Sequence, residues 1–122
     1  MPKILVIDDD LMVRNTISKI LRHSGFEVIV AEDGVRGLAS FRRDRPDLVI
    51  TDIIMPEKEG IETIIEMRRE HPDTKIIAVS GGGRIGNADF LSMATSLGAA
   101  AVIAKPFLPE ELINQVKSCL AA

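Results

Sequence analysis

Ile4-Leu5-Val6-Ile7-Asp8-Asp9-Asp10 is the stretch that decides the fold. Four aliphatic residues, three of them β-branched, form a run too short for a helix, and their hydrophobicity is continuous rather than alternating. That pattern marks a strand covered on both faces, as in a parallel sheet lying between helices. The run ends abruptly in three carboxylates. From Leu11 to Ser24 the period changes to that of a helix, with Val13, Ile17, Ile20 and Leu21 on one stripe and Gly25 as the stop.

Outward from this unit the same pair of patterns recurs. Val28-Ile29-Val30, Leu48-Val49-Ile50, Ile76-Ile77-Ala78-Val79 and Ala101-Val102-Ile103-Ala104 read as four more strands. A second helix opens at Asp33 or Gly34, turns Val35, Leu38, Ala39 and Phe41 inward, and ends before Pro46. A third runs from Glu59 to Glu70 with Ile61, Ile64, Ile65 and Met67 apolar, and a fourth from Asn87 to Leu97 ahead of Gly98. A fifth follows Pro109 and lines up Leu112, Ile113, Val116 and Leu120. Five strand-helix alternations require parallel strands and right-handed crossovers. The expected fold is α/β: a three-layer α/β/α sandwich around a five-stranded parallel sheet in the flavodoxin-like order 2-1-3-4-5.

Composition limits the function. A chain of 122 residues with 46% hydrophobic residues predicts one domain, 1–122, with one core. The net charge of -3 gives no general attraction to nucleic acid or an anionic membrane, so no direct nucleic-acid partner and no membrane association are expected. No export signal and no apolar span precede Asp8, so a cytoplasmic location is expected. The single cysteine, Cys119, reads as packing. His23 and His71 have no ligand partners at suitable spacing, and Arg42-Arg43-Asp44-Arg45 reads as a solvated helix end favoured by the helix dipole. Because the sequence stops one helix after the last strand, no output module is expected.

In a sheet of this kind, functional groups gather at the carboxyl ends of the strands. Those ends are Asp8-Asp9-Asp10, Thr51-Asp52, Ser80 and Lys105-Pro106. Asp10 is assigned to capping the first helix. Crowded carboxylates are unfavourable unless a cation intervenes, and an all-oxygen donor set favours Mg²⁺, with Mn²⁺ as the alternative, over Zn²⁺. Beside such an ion, the Asp52 carboxylate is a candidate nucleophile toward phosphorus, with Lys105 and Ser80 balancing charge on the transferred oxygens.

These residues resemble the receiver domains of two-component response regulators, of which the bacterial chemotaxis regulator is an example. The resemblance runs along essentially the whole chain, through Ile4 to Asp10, Pro46 to Pro56, Gly60, Ser80-Gly81 and Lys105-Pro106-Phe107. It implies that Asp52 is the phosphoacceptor, and that Asp9, Asp52 and the backbone carbonyl of Ile54 contact Mg²⁺, with Asp8 completing the site. It implies that Ser80 and Lys105 bind the phosphoryl group, that Pro106 follows a cis peptide bond, and that Gly81 keeps the phosphoryl site open. Its implied partners are a sensor histidine kinase or histidine phosphotransfer protein and a downstream protein target, reached as a monomer or weak dimer. It also implies a switch that modifies itself rather than an enzyme. Val102 stands where many members carry Tyr or Phe, so a rotating aromatic is not expected here. The loop from Ser80 to Asn87 is glycine-rich and longer than usual, and Ile54 is apolar where polar residues are common. A small metal-dependent phosphatase is the rival on the same chemistry, but no second acid or substrate cap is evident. A receiver excised from a larger DNA-binding regulator is the other alternative.

Overall fold

The computed structural model describes residues 2–52, 59–80, 96, 98–104 and 106–121, with backbone alone for residues 59, 60 and 80. Among them, five strands and four helices follow one another as β1 (Lys3–Ile7), α1 (Leu11–His23), β2 (Glu27–Ala31), α2 (Gly34–Asp44), β3 (Leu48–Asp52), α3 (Glu59–Glu70), β4 (Ile76–Ser80), β5 (Ala101–Ala104) and α4 (Pro109–Ala121). All strand pairs are parallel, and their order is β2-β1-β3-β4-β5, as the sequence predicts. The expected helix over 87–97 lies outside the described residues except for Ser96.

Alternation along each strand sends successive side chains to opposite faces. Ile4, Val6, Leu48, Ile50, Ile77, Val79 and Ile103 pack with Ile17 and Leu21 of α1 and with Leu112, Val116 and Cys119 of α4. Leu5, Ile7, Val49, Ile76 and Ala78 pack on the other face with Phe41 of α2 and with Ile64 and Met67 of α3. Those two layers are why the apolar runs are continuous. Cys119 is a packing residue, and burial pushes its thiol pKa up against a smaller opposing pull from Lys75.

Local chemistry sets the helix ends. Asp10 caps α1 by accepting from the Met12 and Val13 amides, and Gly25 leaves the helix at φ +94. Asp33 caps α2, and the Arg36 amide and guanidinium hold its carboxyl below the usual range. The helix stops at Asp44 because Pro46 disfavours a helical residue before it; Arg45 takes the left-handed conformation at φ 49 instead. At α4, Glu111 Oε1 accepts from the Leu108 amide at 2.9 Å, one half of a capping box, and Pro109 occupies the first turn.

The α2 stripe needs correcting. Val35 is 74% exposed and Ala39 is also exposed, whereas Gly34, Gly37, Ser40 and Phe41 are buried. Gly37 faces β1 so closely that a Cβ there would stand 2.8 Å from Ile7 Cγ1 and nearer still to Cδ1. A helix that approaches a sheet through glycine shows no large apolar residue at the contact, which displaced the predicted stripe. The basic cluster also has more structure than a solvated end. Arg42 forms ion pairs with Glu66 and Glu70 of α3, which hold the Glu70 carboxyl below its ordinary value, and His71 lies against Phe41 with ring centroids 5.5 Å apart.

Candidate metal and phosphoryl site

The strand order decides where the acidic residues meet. β1 lies between β2 and β3, so the chain reverses its direction of travel across the sheet there, and a crevice opens beyond the carboxyl ends of β1 and β3. Register places Ile7 beside Thr51, so the next residues along the two strands, Asp8 and Asp52, stand side by side. Asp52 is the last residue of β3 and shares the α1 face with Leu48 and Ile50. Asp8 is 1% exposed and Asp52 5%, whereas Asp9 is exposed.

One carboxylate oxygen from each of Asp8, Asp9 and Asp52 lies within 4.8 Å of the others. Oxygens at about 2.1 Å from a Mg²⁺ ion lie about 3 to 4 Å from one another across it, so the three carboxylates fit one small ion with little movement. The donor set agrees: all ligands are hard anionic oxygens, with no thiolate or imidazole among them. Two of the three carboxylates are buried and the third is exposed, so a cation held there would be reached from the Asp9 side.

The loop holding them is tied down at several points. The Asp8 amide extends the ladder by donating to Ala31 O at 3.2 Å. Asp8 Oδ1 accepts from the Asp10 amide at 2.9 Å, and the Asp8 carbonyl accepts from Arg14 Nη1 at 2.8 Å. Thr51 is fully buried beneath, its hydroxyl donating to the Asp52 carbonyl at 3.2 Å.

The structure therefore brings together Asp8, Asp9 and Asp52 and gives Asp10 the capping role expected of it. Ser80 ends β4 in register with Ala104, whose next residue in sequence is Lys105. The Ser80 side chain, Ile54, Gly81, Lys105 and the peptide bond preceding Pro106 lie outside the described residues, as does the glycine-rich loop. Pro106 itself is exposed. Val102 is partly buried against the α2 and α3 side of the sheet, in register with Ala78. Arg14 escaped the sequence reading, because its partner is a backbone carbonyl and no side-chain pattern signals such a contact.

The sequence model of the response regulator receiver domain matches residues 4–117. The chain belongs to that family. Solved structures agree with the assignment. The receiver is 30% identical to a CheY-like response regulator receiver domain protein from Methanospirillum hungatei JF-1, with a TM-score of 0.88 over 99% of this chain and 94% of that one. It is 30% identical to the receiver domain of NtrX from Brucella abortus, with a TM-score of 0.90 and 98% of each chain covered. Among curated relatives, it is 36% identical over 118 residues to the probable transcriptional regulator ycf27 of Cyanophora paradoxa, covering 97% of this chain and 48% of that protein. It is 34% identical over 120 residues to the transcriptional regulatory protein CpxR of Klebsiella pneumoniae, covering 98% and 50%. The chain spans about half the length of the curated relatives it matches. No helix among the described residues is long and apolar enough to cross a membrane.

Proposed function

We propose that this receiver is a phosphorylatable switch that takes a phosphoryl group onto Asp52 in a Mg²⁺-dependent reaction. The single observation that carries the reading is the convergence of three carboxylate oxygens within 4.8 Å at the sheet's crevice, with Asp52 as the member that ends the central strand β3.

In the proposed reaction an Asp52 carboxylate oxygen attacks phosphorus, the nitrogen–phosphorus bond of a phosphohistidine breaks, and an acyl phosphate forms. Asp8 and Asp9 would hold the cation together with Asp52, and by the family resemblance with the Ile54 carbonyl. A divalent ion bound there supplies charge neutralisation for the transferred oxygens. Lys105 brings a second positive charge to them and Ser80 a hydroxyl. Asp52 stands on the same face as buried Ile50 and in register with buried Val79, which keeps the nucleophile on a rigid strand, so orientation comes from the fold. Turnover of an external substrate has no part in this reading. The phosphodonor is a histidine kinase or histidine phosphotransfer protein, and the output is contact with another protein.

A second reading concerns the length of the natural protein. Relatives named as transcriptional regulators are about twice as long as the part that matches. That coverage favours a receiver that forms one part of a larger regulator, in which the same switch would govern a DNA-binding partner domain.

Incubation with acetyl phosphate tests the chemistry without a cognate kinase. Acyl-phosphate labelling that is labile to acid, alkali and hydroxylamine is expected with Mg²⁺, is lost in EDTA, and is absent from folded Asp52→Asn. Equal labelling of that variant would remove Asp52 from its role.

A further inference from the structure

Asp9 is the exposed member of the cluster, and among the described residues none donates a hydrogen bond to its carboxylate. Its position therefore depends on the main chain on either side. Both flanking peptide groups are held from outside. On the C-terminal side the Asp10 amide donates to Asp8 Oδ1 at 2.9 Å. On the N-terminal side the Asp8 carbonyl accepts from Arg14 Nη1 at 2.8 Å. A peptide group is planar, so fixing its oxygen also fixes the direction from which the Asp9 Cα departs.

We propose that Arg14 is a positioning residue for the acidic cluster: by holding the Asp8–Asp9 peptide it keeps the Asp9 carboxylate beside those of Asp8 and Asp52, and so sets the affinity for a divalent cation. The proposal rests on the reading of these three aspartates as a Mg²⁺ site. Arg14 is suited to the task because it lies in the first turn of α1, whose start is fixed by the Asp10 cap, and because a charged donor makes a strong bond to a carbonyl. Arg14 and its bond to the Asp8 carbonyl are partly buried, which reduces competition by water. Of the two holds on the Asp9 main chain, it is the one that can be removed without removing a candidate ligand.

Calorimetric titration of the full chain with MgCl₂ tests this directly. Arg14→Met is expected to weaken Mg²⁺ binding about tenfold, the usual scale for losing a partner that orients a ligand. Melting in EDTA establishes that the variant is folded. Arg14→Lys, a milder change that keeps the charge, is expected to weaken binding about threefold and serves if Arg14→Met folds poorly. Removing a positive charge beside a cation site would by itself strengthen binding, and salt screens that opposing effect, so a loss caused by geometry should persist or grow in about 0.5 M KCl. Affinities within twofold of wild type for both variants would overturn the proposal, as would a loss that vanishes at high salt. Asp9→Ala serves as the reference. If the wild-type chain takes up no Mg²⁺, or Asp9→Ala binds it as well as wild type, the metal-site reading itself fails and the role of Arg14 falls with it.

Discussion

Replacing Asp9 by Ala separates the cost of the acidic cluster from its use. Asp9 lies within 4.8 Å of two other carboxylates and gains no hydrogen bond from a described residue in return. Two unit charges at that distance repel by about 0.9 kcal/mol even in a water-like dielectric, so two neighbours cost Asp9 up to about 1.7 kcal/mol at low ionic strength. Part of the Asp8–Asp9 repulsion survives in the unfolded chain because the residues are adjacent, whereas the Asp9–Asp52 repulsion exists only in the folded state. Asp9→Ala should therefore be more stable than wild type without metal by about 1 to 1.7 kcal/mol. For a chain of 122 residues that corresponds to a melting point higher by about 4 to 7 °C. Mg²⁺ should reverse the order. At a hundred times the dissociation constant a ligand stabilises by about 2.7 kcal/mol, which wild type gains and the variant largely loses. With no Trp or Tyr in the chain, far-UV circular dichroism is the suitable probe. Melts are run in EDTA and in MgCl₂ at matched ionic strength. An Asp9→Ala protein that melts at or below wild type in EDTA, or that rises with Mg²⁺ as far as wild type does, would refute the reasoning.

Gly37→Ala should lower stability by about 1 kcal/mol: the helix gains about 1 kcal/mol in propensity, but the methyl overpacks against buried Ile7 at about twice that cost. Urea midpoints read the difference, and a higher midpoint for the variant would show that Ile7 can move aside. The Arg42 ion pairs predict acid sensitivity. Glu70 has a folded pKa below its ordinary 4.5, so the unfolded chain binds more protons, and the contribution is present above that value and lost as pH falls through the folded one. Between about pH 5 and pH 3, wild type should lose more stability than Arg42→Ala, and equal urea midpoint slopes against pH would contradict the assignment.

How much of this was legible in the sequence depends on what kind of contact carries each feature. The strands declared themselves because both of their faces are buried, which leaves β-branched runs such as Ile4 to Ile7 with no alternation. The Asp10 cap was readable because capping is local, and the meeting of Asp8 with Asp52 followed once β1 and β3 were neighbours. Contacts that couple distant segments were not legible. Arg42 looked like a helix end completing a dipole, but its partners are 24 and 28 residues away on α3. The inward face of α2 was misplaced because Gly34 and Gly37 make the close approach to the sheet, and a residue without a side chain leaves no hydrophobic signal. Arg14 was missed for a related reason: a bond to a main-chain carbonyl can be made by any backbone, so the acceptor's sequence does not reveal it.

The central claim is that Asp52 carries the phosphoryl group, and borohydride trapping followed by peptide mass mapping tests it most directly. Borohydride reduces an acyl phosphate to the alcohol, so an aspartyl phosphate becomes homoserine at the modified position alone. After treatment with acetyl phosphate and Mg²⁺, the peptide spanning β3 should contain homoserine at position 52, with Asp8, Asp9 and Asp10 unaltered. Homoserine at any of those three instead, or an unreduced Asp52 in a protein that has taken up phosphate, would contradict the account.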